Sequence, residues 1–445
     1  MSFPRYPKYK ASGVEWLGDL PAHWHSGCLK YLATIKPGYA FSSDNFVGEG
    51  IPVLRIGDIT PDGTVDFTDA RCLPLEQGTA HADVLVVRGD IVMAMTGATI
   101  GKAGWYDSDR PALLNQRVCI FRSIAPNEQR YLWHILRARF YAEHITLAAV
   151  GGAQPNISDS QLLQCVVPLP PGPEQIAIAA FLDRETLKID ALVAEQRRLV
   201  ELLKEKRRAV ISHAVTQGLN PHAPMKPSGI EWLGDVPEHW EVTRFKRIAE
   251  LIDGDRSSAY PSDQDIVDEG IPFLSSKNIV GYKFFNTGLR FITQEKFDAL
   301  SRGKILDNDL AITVRGTIGQ VAIYDAKLLG HPTAFINAQM MIMRPIGVTS
   351  SFVYSISESH YWQKQLDVAS YGTAQQQLSN AILQNIFVVL PPAKERDEIS
   401  IFLVTELAKF DEAQRAIELL QERRTALISA AVTGQIDVRG LPPAR

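Results

Sequence analysis

The sequence predicts an α+β chain. Two mixed α/β domains stand in tandem, each followed by a long helix, and the helices pair as an antiparallel coiled coil with pseudo-twofold symmetry. Three observations lead there. The stretch SGVEWLGDLPAHW (Ser12–Trp24) returns as SGIEWLGDVPEHW (Ser228–Trp240), identical at ten of thirteen positions. Such self-similarity marks a repeat architecture. The match then continues in order through most of the chain. Finally, each copy closes on a long stretch free of Gly and Pro after its first turn, with apolar residues at heptad spacing.

The repeat can be walked element by element. EGIPVLRIGDI (Glu49–Ile59) answers EGIPFLSSKNI (Glu269–Ile279), and GDIVMAMTGATIGKAGWYD (Gly89–Asp107) answers NDLAITVRGTIGQVAIYD (Asn308–Asp325). AQPNIS (Ala153–Ser158) answers AQQQLS (Ala374–Ser379), and AVISHAVTQGL (Ala209–Leu219) answers ALISAAVTGQI (Ala426–Ile436). Each copy is therefore about 220 residues of the 445. The boundaries expected are an N-terminal segment 1–27, a first domain 28–170, a first long helix 171–218 and a linker 219–243 that repeats the Trp-rich string. A second domain 244–391, a second long helix 392–434 and a tail 435–445 follow.

Short β-branched runs, Val84–Val87 and Ile91–Met95, flank turn residues and read as strands. Glu128–Ala148 and Phe352–Val368 read as helical. Pro170-Pro171 and Pro391-Pro392 end the segments before the long helices, because proline extends neither a ladder nor a helix interior. The expected pairing seam is Leu182, Ile189, Leu192, Leu199, Leu203 and Val210 on the first helix. On the second it is Leu403, Phe410, Ile417, Leu420 and Leu427. Asp190 to Leu202 spans 12 steps while the matched Asp411 to Leu419 spans 8. A four-residue difference is close to one turn, so the buried face is nearly kept. In the Trp-rich string, Trp16, Leu17, Pro21 and Trp24 read as fasteners of each domain to the helix junction, which is close to saying that they are core; a partner-docking role is the other reading.

Composition narrows the class. Charged and apolar fractions of 22% and 45% are those of an ordinary globular chain, not a disordered one. The start is basic and Pro-interrupted without an apolar core, so no secretory signal is expected, and no apolar run approaches the roughly 20 residues of a membrane span. The four cysteines, Cys28, Cys72, Cys119 and Cys165, all lie in the first copy. A disulfide or zinc site needed by the fold would recur in the second, so reduced, buried thiols in a cytoplasmic protein are expected. The net charge of −4 weakly opposes phosphate binding but is silent about placement.

The duplicated SGVEWLGDLPAHW, TGATIGK and PLPPGPEQIAIAAFLD, followed by a long Leu/Arg/Glu helix, resemble the specificity subunit of type I restriction–modification systems. The resemblance spans nearly the whole chain. It implies that each globular domain is a target-recognition domain for one half of a split double-stranded DNA sequence. It further implies that the paired helices set the spacing and dock two methyltransferase subunits, alongside restriction/translocase subunits. No cofactor is expected in this chain; S-adenosylmethionine, ATP and Mg are implied for the partners. Two rival readings remain: service to a system with a fused methyltransferase–nuclease partner, and a two-headed protein scaffold without DNA.

Several stretches that invite chemistry have simpler roles. GATIGK (Gly97–Lys102) lacks the spacer and hydroxyl of a phosphate loop, and its counterpart RGTIGQ loses the lysine, so a tight strand-to-strand turn is the better reading. RGD at Arg88–Asp90 is a turn. The acids of PPAKERDE (Pro391–Glu398) open a helix, where they meet the macrodipole favourably. The histidines show no ligand spacing, and no methyltransferase motif is present, so enzymatic activity of this chain is not expected. Seven basic residues against four acids between Lys188 and Arg208 leave +3, on a face that suits DNA, a partner or solvent equally.

Base readout needs Arg or Lys for guanine and Asn or Gln for adenine, presented from loops. The candidates are Arg55, Lys102, Arg117, Gln154 and Asn156 in the first copy. In the second they are Lys277, Asn278, Arg315, Gln339, Gln375 and Gln377. Asn115 and Asn337 either join them or satisfy turn backbone.

Overall fold

The computed structural model describes residues 3–150, 155–286, 288–370 and 377–441, with backbone only at 369, 370, 404 and 406–411. The chain forms two compact units, residues 1–196 with 416–445, and residues 197–415. The second helix and tail are thus shared out in a way the linear order of the sequence does not suggest.

In the first unit, an antiparallel sheet is built from β1 (Ala33–Pro37), β3 (Ile91–Ala94), β4 (Ala103–Trp105) and β6 (Val118–Ser123), in the order β1-β6-β3-β4. A second sheet holds β2 (Ile51–Leu54) parallel to β5 (Ala112–Leu114). The second unit repeats both. Strands β7 (Ala249–Asp253), β9 (Leu310–Thr313), β10 (Val321–Ile323) and β12 (Met340–Pro345) run in the order β7-β12-β9-β10, extended by two short strands. β8 (Ile271–Leu274) lies parallel to β11 (Thr333–Ile336) in the companion sheet.

The stretches read as single helices are each two. α1 (Gln129–Leu136) and α2 (Arg139–Ala148) are separated by Arg137 and Ala138, and α4 (Ser350–Glu358) and α5 (His360–Ser370) by Ser359; Ala138 and Ser359 are extended and fully buried. The bend lets Phe140 and Tyr141, and Tyr361 and Trp362, turn into the same cores as the preceding helix.

Two long helices follow the domains. α3 (Gly172–Gln217) has 46 residues and α6 (Ala393–Val432) has 40. Within the first unit, Ile178, Ala179 and Leu182 of α3 share a core with Ile428, Ala431 and Val432 of α6. Further along α3, Asp190 accepts from Arg424 Nε at 2.7 Å and Nη2 at 3.2 Å. Rising numbers on one helix meet falling numbers on the other, so they pack antiparallel there. In the second unit, Ile211, Ala214 and Val215 share a core with Ile399 and Leu403.

One row of the expected seam needs correction. Leu182 and Ile189 are buried, but Leu192 and Leu199 are 46% and 42% exposed. The buried companions are Thr186 and Val193 in the first unit and Val200 in the second. They stand four residues after the first row instead of three, which is where the alternating 4–3 spacing places a packed stripe. Leu203, Val210, Leu420 and Leu427 are half-buried, Leu403 and Ile417 buried, and the Phe410 side chain lies outside the described residues.

The repeated Trp-rich string explains itself at the helix starts. Trp24 is fully buried and its Nε1 donates to Glu174 Oε2 at 2.9 Å; Trp240 donates to Glu395 Oε2 at 2.9 Å. His23 and His239 reach the same carboxylates at 2.6 and 2.8 Å. Each glutamate lies in the first turn of its helix, so it meets both an indole N–H and the positive helix end. Tyr6 adds a third donor to Glu174 at 2.9 Å. Burial raises the Glu174 pKa, and the bonds from Trp24, His23 and Tyr6 more than reverse that, leaving it below the ordinary value. Leu17 and Pro21 are buried with Trp24, whereas Trp16 and Trp232 are 50% and 42% exposed, so Trp16 is not a core fastener. Among the described residues no helix is long and apolar enough to cross a membrane.

Candidate nucleic-acid interface

At the end of β3 three segments converge. Met95 N donates to Arg117 O at 2.9 Å, and Met95 O accepts from Ile157 N at 3.1 Å. Gly97 N donates to Pro155 O at 2.9 Å, and Thr96 and Asn156 form a bridge. The turn 96–102 folds back through Ala94 N to Lys102 O at 3.0 Å. A fourth segment joins where β2 ends, because Asn115 N donates to Leu54 O at 3.0 Å. Arg55, Lys102, Arg117 and Asn156 are therefore brought to one end of the first unit by backbone pairing alone.

The second unit builds the same junction. Val314 N donates to Gln339 O at 2.8 Å, Leu378 N to Val314 O at 3.1 Å, and Asn337 N to Leu274 O at 2.9 Å. This gathers Lys277, Arg315, Gln339 and Gln377. A glycine holds each junction tight: a Cβ on Gly38 would stand 2.2 Å from Asn115 O, and one on Gly254 2.8 Å from Asn337 O. Any side chain there would push the two segments apart.

The candidates differ in how they are presented. Arg117, Asn156, Lys277, Arg315, Gln339 and Gln377 are exposed, and Arg55 and Lys102 half-buried. Arg55 is engaged, its Nη2 donating to Asp69 O at 2.9 Å. Asn278 is 3% exposed, and its Oδ1 accepts from Ser275 N at 2.9 Å. It caps a short turn as Asp58 does by accepting from Arg55 N at 2.7 Å, so the expectation of a base reader at Asn278 gives way to a structural cap. Asn115 and Asn337 accept from the backbone N of Arg117 and Gln339 at 3.3 and 3.2 Å, which settles them as turn residues. Gln154 and Gln375 lie outside the described residues. GATIGK forms a short 3-10 turn joining antiparallel β3 and β4, as a strand-to-strand turn should.

Four residues at these ends, Tyr39, Asp255, Arg256 and Arg302, were not singled out from sequence. Tyr39 is 50% exposed, pairs with Asn115 and packs on His81 with ring centroids 4.5 Å apart. In the second unit Arg256 donates to Ala338 O at 3.2 Å and lines, with Arg302, a cavity of about 400 Å³. Buried Asp255 forms its floor, accepting from the backbone N of Ser257, Ser301 and Arg302 at 2.8, 2.9 and 3.2 Å. Burial raises the Asp255 pKa, and the bonds from Ser257 and Ser301 outweigh it, holding the carboxyl well below the usual range. The signal available in the sequence was the glycine at matching places, Gly38 and Gly254, with a loop residue after each.

A second surface lies in the first unit around exposed Trp16. There an open groove of about 1110 Å³ runs between Phe140 and the last turns of α6, rimmed by Glu143, Glu418 and Glu422. Leu187 and Leu192 of α3 are also exposed in this unit.

The fold and its ends define a class: a duplicated, mixed α/β chain that presents two equivalent loop clusters with unlike polar side chains. Residues 21–201 and 237–421 each match the type I restriction modification DNA specificity domain. The chain belongs to that family. It is 27% identical over 401 residues to the EcoBI specificity subunit of Escherichia coli, covering 87% of this chain and 80% of that protein. It is 25% identical over 439 residues to the putative MjaX specificity subunit of Methanocaldococcus jannaschii, covering 95% and 96%. A chain solved in work on complex assembly and conformational transition of the type I R-M system shares the fold. Its TM-score is 0.57 at 16% identity, over 94% of this chain and 99% of that one.

Proposed function

We propose that this chain directs a type I restriction–modification complex to DNA, each unit binding one half of a bipartite double-stranded target. One observation carries the reading: the same four-segment junction is built twice, yet exposes Arg117 and Asn156 in one unit and Arg315 and Gln377 in the other. A scaffold shared by two readers with different side chains is what two unlike half-sites require. The long helices set the gap between half-sites. The exposed Trp16 groove and the outward leucines of α3 suit the docking of methyltransferase subunits, since large apolar surface left open on a helix is unusual without a partner. Methyl transfer and cleavage, with S-adenosylmethionine, ATP and Mg, belong to the methyltransferase and restriction subunits.

The test is to delete four residues from the middle of both α3 and α6 and map methylated positions in host DNA. At 1.5 Å per residue the loss is about 6 Å, or roughly two base pairs of 3.4 Å each. The spacer is expected to shorten by that amount with both half-sites unchanged. Altered half-sites with a constant spacer would refute the reading.

A further inference from the structure

We propose that Arg315, steadied by Gln377, reads a guanine in the half-site bound by the second unit. The inference rests on the reading of that unit as a DNA-binding one and names the residue that sets its specificity. Arg315 and Gln377 occupy the places that Thr96 and Asn156 hold in the first unit, where the two segments pair as a bridge. In the second unit Leu378 N to Val314 O keeps the segments together, and the two side chains join above it, Arg315 Nη2 donating to Gln377 Oε1 at 3.0 Å.

The partner's chemistry is the telling part. Three arginines of this unit are neutralised by carboxylates, Arg344 by Asp309 at 2.7 Å, Arg207 by Glu358 at 2.9 Å and Arg290 by Asp263 at 2.9 Å, while Arg244 and Arg256 donate to backbone carbonyls. Arg315 is exposed and held by a neutral amide oxygen, and among the described residues it makes no other hydrogen bond. Among the described residues no carboxylate pairs with it, the bond to Gln377 orients its guanidinium, and its remaining donors have no partner there. A planar fork with two parallel N–H groups matches the O6 and N7 acceptors of guanine.

A phosphate contact is the obvious competitor, and two points weigh against it. Phosphate contacts carry no sequence information, so a duplicated scaffold has every reason to keep them in both copies. Position 315 instead differs between the copies, being Thr96 in the first. A phosphate also attracts a freely moving cation well enough, whereas holding Arg315 in one orientation costs side-chain entropy that only a directional contact returns.

The experiment uses the full chain assembled with its methyltransferase subunits. The methylated motif is mapped first, and binding is then measured to duplexes changed at one base at a time, at several salt concentrations. The second half-site is expected to contain a guanine that Arg315→Ala ceases to distinguish, with discrimination falling about 5- to 150-fold at that position alone. Arg315→Lys, which keeps the charge but loses the fork, should relax the same base. Gln377→Ala should relax it too, and Gln377→Asn, which keeps a neutral amide oxygen on a side chain one methylene shorter, should recover part of it; a merely structural role would not confine the effect to one base.

Arg315 is exposed in a turn, so the variants should fold, and the Gln377 pair supplies the same readout should Arg315→Ala fail to assemble. A uniform loss of affinity for every duplex, with the salt dependence lowered by about one unit of slope, would make Arg315 a phosphate contact and overturn the proposal. Unchanged discrimination would overturn it as well. A wild-type complex that methylates no split motif would instead sink the underlying reading, and the two failures are told apart in the first step.

Discussion

Replacing Trp24 by alanine should loosen the first unit at its helix junction and leave the second unit untouched. The indole is fully buried beside Tyr6, with ring centroids 5.5 Å apart, and donates to Glu174. Truncating a core tryptophan costs about 3–5 kcal/mol. Losing a hydrogen bond to a charged acceptor adds about 1.5–3 kcal/mol, discounted here because His23 and Tyr6 still serve the same carboxylate. About 4–6 kcal/mol is therefore expected for alanine. Trp24→Phe keeps most of the packing and should cost roughly 2 kcal/mol, which isolates the N–H. Hydrogen exchange followed by mass spectrometry reads this locally. At 1.4 kcal/mol per factor of ten, amides around 20–37 and 172–182 should exchange at least a hundredfold faster in the alanine variant. Their counterparts around 236–253 and 393–403 should be unchanged, and Trp240→Ala should give the mirror result. Equal loosening of both junctions, or a phenylalanine variant as poor as alanine, would refute the argument.

Two further outcomes follow from the same region. Glu174 has its pKa depressed in the folded chain, so its contribution is present above the ordinary value of 4.5 and fades as pH falls through the folded value. Exchange protection of the first junction should drop as pH is lowered below about 4.5, and Glu174→Gln should remove that dependence. Deleting the tail from Gln435 onward removes buried Ile436 and Val438 and the bond from Asp437 N to Pro4 O at 2.8 Å. At about 1.5–3 kcal/mol per buried aliphatic, the first unit should lose roughly 3–6 kcal/mol. In calorimetry its transition should move down while that of the second unit stays.

Much of the architecture was legible because the chain states it twice. Matching strings located equivalent strands of the two units, and the absence of Gly and Pro located the long helices to within a residue or two. The seam was misread where size competed with spacing: Leu192 and Leu199 are bulkier than Val193 and Val200, and a heptad one residue out of phase with the true second row still looks regular. Burial of the smaller β-branched residues is decided by the helix packed opposite, which local sequence does not contain. The candidate site shows the same division. Loop residues were found one by one from side-chain chemistry, but their convergence comes from backbone pairing at the ends of β3 and β9. Asn278 carried a readable warning, since Asp58 at the matching place also offers a side-chain acceptor, as a turn cap requires in both copies.

The membership of the tail could not be read locally, yet the repeat contains the reason for it. After α3 the chain passes Gly218, in the left-handed region at φ +79°, and runs on to the strand Met225–Pro227 and to Trp240. A Cβ on Gly218 would stand 3.1 Å from that indole. After α6 comes Gly434, at φ +71°, where a Cβ would stand 3.0 Å from Trp24. The same contact is made, but the residue that receives it lies at the other end of the polypeptide. What a continuous linker does in the second unit, the two chain ends do together in the first: Tyr9 Oη donates to Gly434 O at 3.0 Å and Arg439 stacks 4.7 Å from the Tyr6 ring. In the first unit the end of α6 supplies the contact to Trp24 that the end of α3 supplies to Trp240 in the second. The tail folds onto the first unit at the place that the linker takes in the second, burying Ile436 and Val438 in its core.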